Sequence, residues 1–360
     1  MNKLKVIYLF LISSFLVLNS CTKEDNFSET NHPLGINPWE LITEIEGVTI
    51  DKPFRLHIDE DNVLWVGTFG NGLIKIEGED ITQLTTENST MPDDVIYAID
   101  SDNNGFVWGG TAKGLFKYKT DLTVYNSTNS DMILDNALCI AVDESNNIWF
   151  GNGNSEEGGL MKFNQTANNW QLYTPDNSDI PNGIINNVHI TEDGTVWAGQ
   201  GMVNGLGGIW KKSIDGQEKV YNTDNSNLNY NWITIIKNDA SGNIWSGTNA
   251  PVYLDENLHG GIQNLINDDF IDHNPANSGE ASNRVTAMEF DCNGNLWVAT
   301  SVEPTFNLGY QLSVYNGEKW FVLSNENFPN LYISDIEIDG ETVWLAAPDY
   351  GLIKISFKCD

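Results

Sequence analysis

Basic side chains are scarce in this chain: 18 Lys+Arg face 50 Asp+Glu over 360 residues, a formal net charge of −32. Only two of them are arginines, Arg55 and Arg284. So acidic a surface repels phosphate backbones and anionic headgroups, which excludes nucleic acid as a partner. Histidine and cysteine are also few, at 5 and 4. No His-Glu zinc motif, nucleophile elbow or Gly-rich phosphate loop occurs, so no catalytic residue, metal or cofactor is expected. Long hydrophobic runs are missing after residue 20, which leaves nothing there to span a bilayer as a helix. Helical periodicity is poor over the same stretch. What is abundant points the other way. Hydrophobic residues make up 40% of the chain, with 12 Trp, 12 Tyr and 15 Phe, enough for a large packed core. The 32 Gly, with many Asn and Asp, and Val, Ile and Trp at the apolar positions, predict short strands joined by tight turns.

The amino terminus is a separate unit. Lys3 and Lys5 precede an apolar run, Val6 to Leu18, whose 13 positions fall short of the roughly 20 a spanning helix needs. It reads as a signal-peptide core over residues 1–20. The ending Leu18-Asn19-Ser20-Cys21 resembles a lipobox, which implies a diacylglycerol on the Cys21 sulfur and cleavage just before it. An ordinary secretory signal with Cys21 incidental is the alternative. Removing residues 1–20 takes away two lysines and no acid, leaving a net charge of −34. Residues 21–36 then form a polar, flexible tether. Within it, Lys23-Glu24-Asp25 resembles the signal that sends some bacterial lipoproteins to the outer face of the outer membrane. An outer-membrane lipoprotein, exposed at the surface or facing the periplasm, is the expected location. Three further cysteines, Cys139, Cys292 and Cys359, cannot all pair within the chain. Cys139 lies in an apolar strand and reads as a small buried hydrophobe.

Internal repetition is the dominant signal. The unit apolar-Trp-x-Gly recurs around Trp65, Trp108, Trp149, Trp197 and Trp245, and with Ala for Gly around Trp297 and Trp344, at intervals of 43, 41, 48, 48, 52 and 47. Seven copies of this length, each with four strand-like segments, predict an all-β, seven-bladed propeller of four antiparallel strands per blade. Asp59, Asp143, Asp239 and Asp291 each lie six positions before their Trp, where an Asx side chain can bond the turn backbone. The fragment Asp100 to Gly105 imitates a calcium loop, but Thr111 stands where that loop needs Glu. The last copy stops at a third strand, Gly351 to Phe357, while Pro38 to Ile42 resembles an orphan fourth strand. Pairing of that segment onto the final blade would close the ring and make residues 37–360 one domain.

Loops between second and third strands share an end with those joining one blade to the next. They lengthen in copies three to six: Gly153 to Gly158, Gly201 to Gly207, Asn249 to His259, and Ser301 to Leu308. The residue entering each first strand near that end reads Lys52, Asp93, Asn136, Ile184, Trp232, Arg284 and Tyr332. Trp232, Arg284 and Tyr332, with Tyr230 adjacent and His259 in the longest loop, are the candidate ligand-binding residues. Aromatic faces stack on sugar rings, and Arg pairs with carboxylates. The structural alternative is that the aromatics pack between blades and Arg284 neutralises an Asp. His57 and His189 are read as too far apart to share a metal.

The recurring Asp-x-x-Gly/Asn-Asn-apolar-Trp-apolar-Gly-Thr, followed by Gly-Gly or Gly-Leu, resembles the two-component regulator propeller repeats over about residues 50–357. In that family such repeats form periplasmic sensor regions ahead of a membrane helix and a histidine kinase, some of them linked to glycan sensing. The resemblance implies a non-enzymatic, sensor-like propeller that binds an extracellular glycan or a protein; the lipobox makes it lipid-anchored, and the chain departs from the family plan in carrying no kinase or other signalling domain of its own. Two further readings stand beside it. One is a propeller lyase or hydrolase, for which His189 and His259 are the candidate bases. The other is a scaffold for protein assembly at the outer membrane.

Overall fold

The computed structural model describes residues 36, 39–133, 135–153, 158–201, 205–250, 260–273, 284–301, 309–323 and 328–359. Each blade starts from its first turn. Asp59 Oδ1 accepts the backbone N–H groups of Asp61 and Val63, both at 3.0 Å, and its Oδ2 accepts the indole N–H of Trp65 at 2.7 Å. The same double clasp recurs between Asp102 and Trp108, Asp143 and Trp149, Asp239 and Trp245, and Asp291 and Trp297. One acid thus fixes the turn and ties it to the second strand. Three residues after it the chain takes a left-handed φ, filled by Asn62, Gly105, Asn146, Gly242 and Gly294.

From these turns grow seven four-stranded antiparallel sheets. Their first strands are Pro53–Ile58, Ala98–Ser101, Cys139–Val142, Ile185–Ile190, Ile233–Asn238, Val285–Phe290 and Asp335–Asp339. Six sheets are contiguous in sequence. The seventh takes its outer strand from the amino-terminal side: Trp39–Ile42 pairs with Gly351–Ser356, Trp39 opposite Ile355 and Ile42 opposite Leu352. The expected closure is therefore present, and a hairpin of Glu44–Ile45 with Val48–Thr49 follows it.

The core lies between sheets. Second strands such as Leu64–Thr68, Val107–Thr111 and Ile244–Thr248 are buried along their whole length. Close packing explains the glycine that follows Trp-x in blades one to five, where blades six and seven carry Ala299 and Ala346. A Cβ at Gly67, Gly199 or Gly247 would come within 2.8 Å of Ile96, Ile233 or Val285, the residues that open the next blade's inner strand. Cys292, in the first turn of blade six, forms a disulfide with Cys359 after the last strand. Cys139 stays free and buried, and burial pushes its thiol up to about 12, the inert hydrophobe expected. Among the described residues no helix is long and apolar enough to cross a membrane.

Candidate functional site

The seven first strands surround a central channel holding a cavity of about 280 Å³. Strand register puts one position of each first strand opposite the repeat Trp. In chain order these are His57, Asp100, Ala141, His189, Lys237, Glu289 and Glu337. All seven line the cavity. Six of them are titratable, an arrangement visible in the sequence only as the position seven or eight residues before each Trp.

Each of these side chains but Ala141 and Glu289 reaches forward to the next blade. His57 Nε2 meets Ser101 Oγ at 2.8 Å and His189 Nε2 meets Asn238 Oδ1 at 2.6 Å. Asp100 accepts the Val142 N–H at 2.8 Å, Glu337 accepts that of Ile58 at 3.2 Å, and Lys237 donates to Glu289. A second tier lies two residues earlier. There Asp335 accepts the Leu56 N–H at 2.9 Å and Asn187 that of Ile236 at 3.0 Å. Arg55 spans three blades, donating to Tyr97 O at 2.9 Å and Ser334 O at 3.1 Å.

Enclosure sets the charge states. Burial pushes Glu337 up to about 8, with Glu289 and Asp335 adding to the rise and Lys237 opposing it. Burial likewise raises Asp100 and Asp335. For Lys237 burial works toward a lower value, but Glu289, Glu337 and Asp335 outweigh it and hold the ammonium charged well above its ordinary range. Burial lowers His57, and lowers His189 to about 4 with help from Lys237, so both rings are neutral at pH 7.

This geometry favours fastening over chemistry. Ser101, His57 and Asp100 follow the nucleophile-base-acid order, but His57 Nδ1 lies 4.0 Å from Asp100 Oδ1, beyond a hydrogen bond. The same forward reach recurs at His189, where the partner is Asn238, which is no nucleophile. Among the described residues no group of three or more His, Cys, Asp or Glu could hold a metal ion. The Lys237 ammonium occupies the acidic centre where a cation would otherwise sit.

The channel mouth carries the sequence candidates. Trp232, Arg284 and Tyr332 occupy corresponding positions at the entries to blades five, six and seven, three residues before Ile235, Ala287 and Asp335 in the aligned registers. The Asn249 N–H donates to Trp232 O at 2.9 Å, and Asn249 also forms a bridge with Arg284. The Tyr332 ring lies 5.4 Å from that of Tyr310, which the sequence reading missed. Trp232 and Tyr332 are half-buried and Arg284 is exposed. Two expectations change. Tyr230 is 8% exposed, so its ring is packed into the blade and offers no face at the mouth. In blade two the corresponding residue is Val95, because the Phe69–Val95 bridge matches the Asn249–Arg284 bridge; Asp93 instead pairs with Lys113 at 3.3 Å. His259 lies outside the described residues, as do parts of the loops in copies three to six. The short loops supplied the signal that was overlooked: Phe69 and Tyr350, 48% and 50% exposed, lie at this same end in blades one and seven.

No family model and no curated protein matches the chain. Solved structures do. The extracellular domain of a B. thetaiotaomicron protein described as a one-component system superposes with TM-score 0.64 at 17% identity, covering 89% of this chain and 40% of that one. The extracellular domain of a hybrid two-component system from the same organism gives 0.66 at 16% identity, covering 86% and 40%. Virginiamycin B lyase from Staphylococcus aureus gives 0.64 at 13% identity, covering 89% and 99%. The chain thus spans about two fifths of the length of the two sensor-type domains. At these identities the likeness carries the fold, and this chain is a seven-bladed β-propeller of the architecture found in the extracellular domains of two-component-system proteins.

Proposed function

We propose that this protein is a non-enzymatic, extracellular ligand-binding propeller of the two-component regulator type. It is anchored through lipid on Cys21 in the outer membrane and takes a glycan at the mouth of blades five to seven. The observation that carries this reading is the placement of Trp232, Arg284 and Tyr332 at one position on three adjacent blades, with Tyr310 against Tyr332. Two half-buried rings and one exposed guanidinium are the side-chain types that stack on and donate to a polyhydroxylated ligand. A lyase reading draws less support. His189 is neutral and its Nε2 is engaged with Asn238.

The test is binding of the full chain, solubilised in detergent, to a panel of neutral and acidic glycans, with Trp232→Ala and Arg284→Ala alongside. Both substitutions are expected to weaken binding at least about tenfold, the size of one lost stacking or charge-assisted contact, with melting temperature unchanged. Binding indifferent to both would remove the site, and no binding across the panel would move the reading to a protein partner.

A further inference from the structure

Among the described residues three aromatic side chains are more than a third exposed: Phe69 at 48%, Tyr310 at 39% and Tyr350 at 50%. All three lie where a second strand turns into a third, on the same end of blades one, six and seven, which are neighbours in the ring. A surface with no use for them would scatter such rings over both ends and the rim. The rings of Phe69 and Tyr310 are also held by neighbouring rings, and the backbone of all three is hydrogen-bonded. Phe69 stands edge-on to Phe54 at 5.6 Å, with Arg55 over the Phe54 ring at 4.2 Å, and its N–H is bound to Lys52 O at 2.9 Å. Tyr310 rests on Tyr332, and its N–H is bound to Asn330 Oδ1 at 2.6 Å. The Tyr350 N–H is bound to Ala347 O at 2.9 Å.

We infer that these rings are successive stacking platforms for one extended, neutral polysaccharide chain, laid across blades six, seven and one. This rests on the glycan reading above and deepens it. Packed sheets stand roughly 10 Å apart, so platforms on neighbouring blades are further apart than one pyranose ring can bridge, and a chain is needed to engage more than one. The face of a pyranose presents C–H groups, which the negative face of an aromatic ring attracts. Neutrality follows from the charge around the arc. Asp51, Asp93, Asp94 and Asp349 lie on this end against Lys52, Arg284 and Lys113; with Lys113 paired to Asp93, three carboxylates still face two cations. Uronate or sulfated chains would be repelled by this surface and by the molecule as a whole. Asp51 and Asp94 have their carboxylates fixed, on Asn71 Nδ2 at 3.1 Å and on the Thr86 N–H and O–H at 2.7 Å, so they are oriented to accept sugar hydroxyls.

The experiment is isothermal calorimetry of the full chain in detergent against neutral gluco-, manno- and xylo-oligomers, from disaccharide to octasaccharide, with a polyuronate of equal length. On one neutral series affinity is expected to rise about tenfold or more with length. Phe69→Ala and Tyr350→Ala should cancel that rise while leaving the disaccharide unaffected, and Tyr310→Ala should weaken short and long chains alike. Length-independent affinity, indifference of Phe69→Ala and Tyr350→Ala, or preference for the polyuronate would overturn the inference and leave glycan binding at the mouth intact. Silence toward every oligomer, or binding of an extended peptide through the same three rings, would overturn both.

Discussion

At the scale of single residues, the clasp between turn acid and indole recurs in five blades, and blade four is one of the two without it. Thr191 stands where those five turns have Asp, and the indole N–H of Trp197, 5% exposed, has no hydrogen-bond partner. A buried donor left unpaired costs about 1–3 kcal/mol. Thr191→Asp is therefore expected to stabilise the protein by about 1 kcal/mol, read as a higher melting temperature at pH 7. The substitution gives up the Thr191 Oγ1–Asp193 Oδ1 bond of 2.6 Å, a loss the new clasp must exceed, but blade one carries both Asp59 and Asp61 at the two corresponding places. A melting temperature that stays put or falls would show that the Trp197 N–H is satisfied some other way. The turn role of Asp59, Asp143, Asp239 and Asp291 was legible from spacing alone, because an Asx side chain acts on its immediate neighbours. The second bond to Trp was not. It depends on the register of a hairpin that folds six residues back, and side-chain direction is not written in spacing.

Among elements, the first strands do the most that the sequence conceals. His57, Asp100, Lys237, Glu289 and Glu337 are ordinary residues in a chain with 50 acids, and only strand register gathers them in one cavity. The second strands, by contrast, were visible from Trp intervals, and the mouth position from counting back from Trp; in blade two a count of thirteen gives Val95, and allowing for a longer turn there misplaced it at Asp93. The buried groups make stability depend on pH in two opposed ways. Glu337 has an ordinary value of 4.5 and sits near 8 in the fold. Between those values the folded state keeps a proton that the unfolded state releases, so stability falls as pH rises through the window. His189 has an ordinary value of 6.5 and sits near 4. There the unfolded state gains a proton that the folded state refuses, so stability falls as pH drops from 6.5 toward 4. The slopes oppose one another from 4.5 to 6.5 and leave an uncompensated decline from 6.5 to 8; the raised Asp100 and Asp335 act in the same direction as Glu337, costing stability as pH rises above their ordinary range. Glu337→Gln should flatten that alkaline decline and His189→Asn should flatten the acid one, each measured by thermal melts across pH 4–8. An unchanged slope in Glu337→Gln would mean that the channel ionises its carboxylates freely.

For the whole molecule, closure decides whether seven sheets make one ring. Trp39 packs against Phe328 with ring centroids 6.0 Å apart, and Ile36 and Trp39 join the cluster centred on blades six and seven, while Ile42 and Ile45 join that of blades seven and one. Stripping these residues removes several apolar side chains, each worth roughly 1.5–3 kcal/mol when fully buried and less here, and exposes the edge of Gly351–Ser356. A chain beginning at residue 46 is expected to melt several degrees lower and to aggregate on heating. A melt that matches the intact chain would show that the disulfide between Cys292 and Cys359 closes the ring unaided. The same closure governs the order in which the molecule can be built. Six blades pair strands that are near neighbours in the chain, and each can form as soon as its own stretch is free to fold. The pairing of Trp39 with Ile355 joins the two extremes of the fold. Until Gly351–Ser356 is present, the early segment Trp39–Ile42 remains a strand without a partner. Any product cut short before that point is an open arc with two free edges, and the ring passes from six independent parts to one object in a single late step.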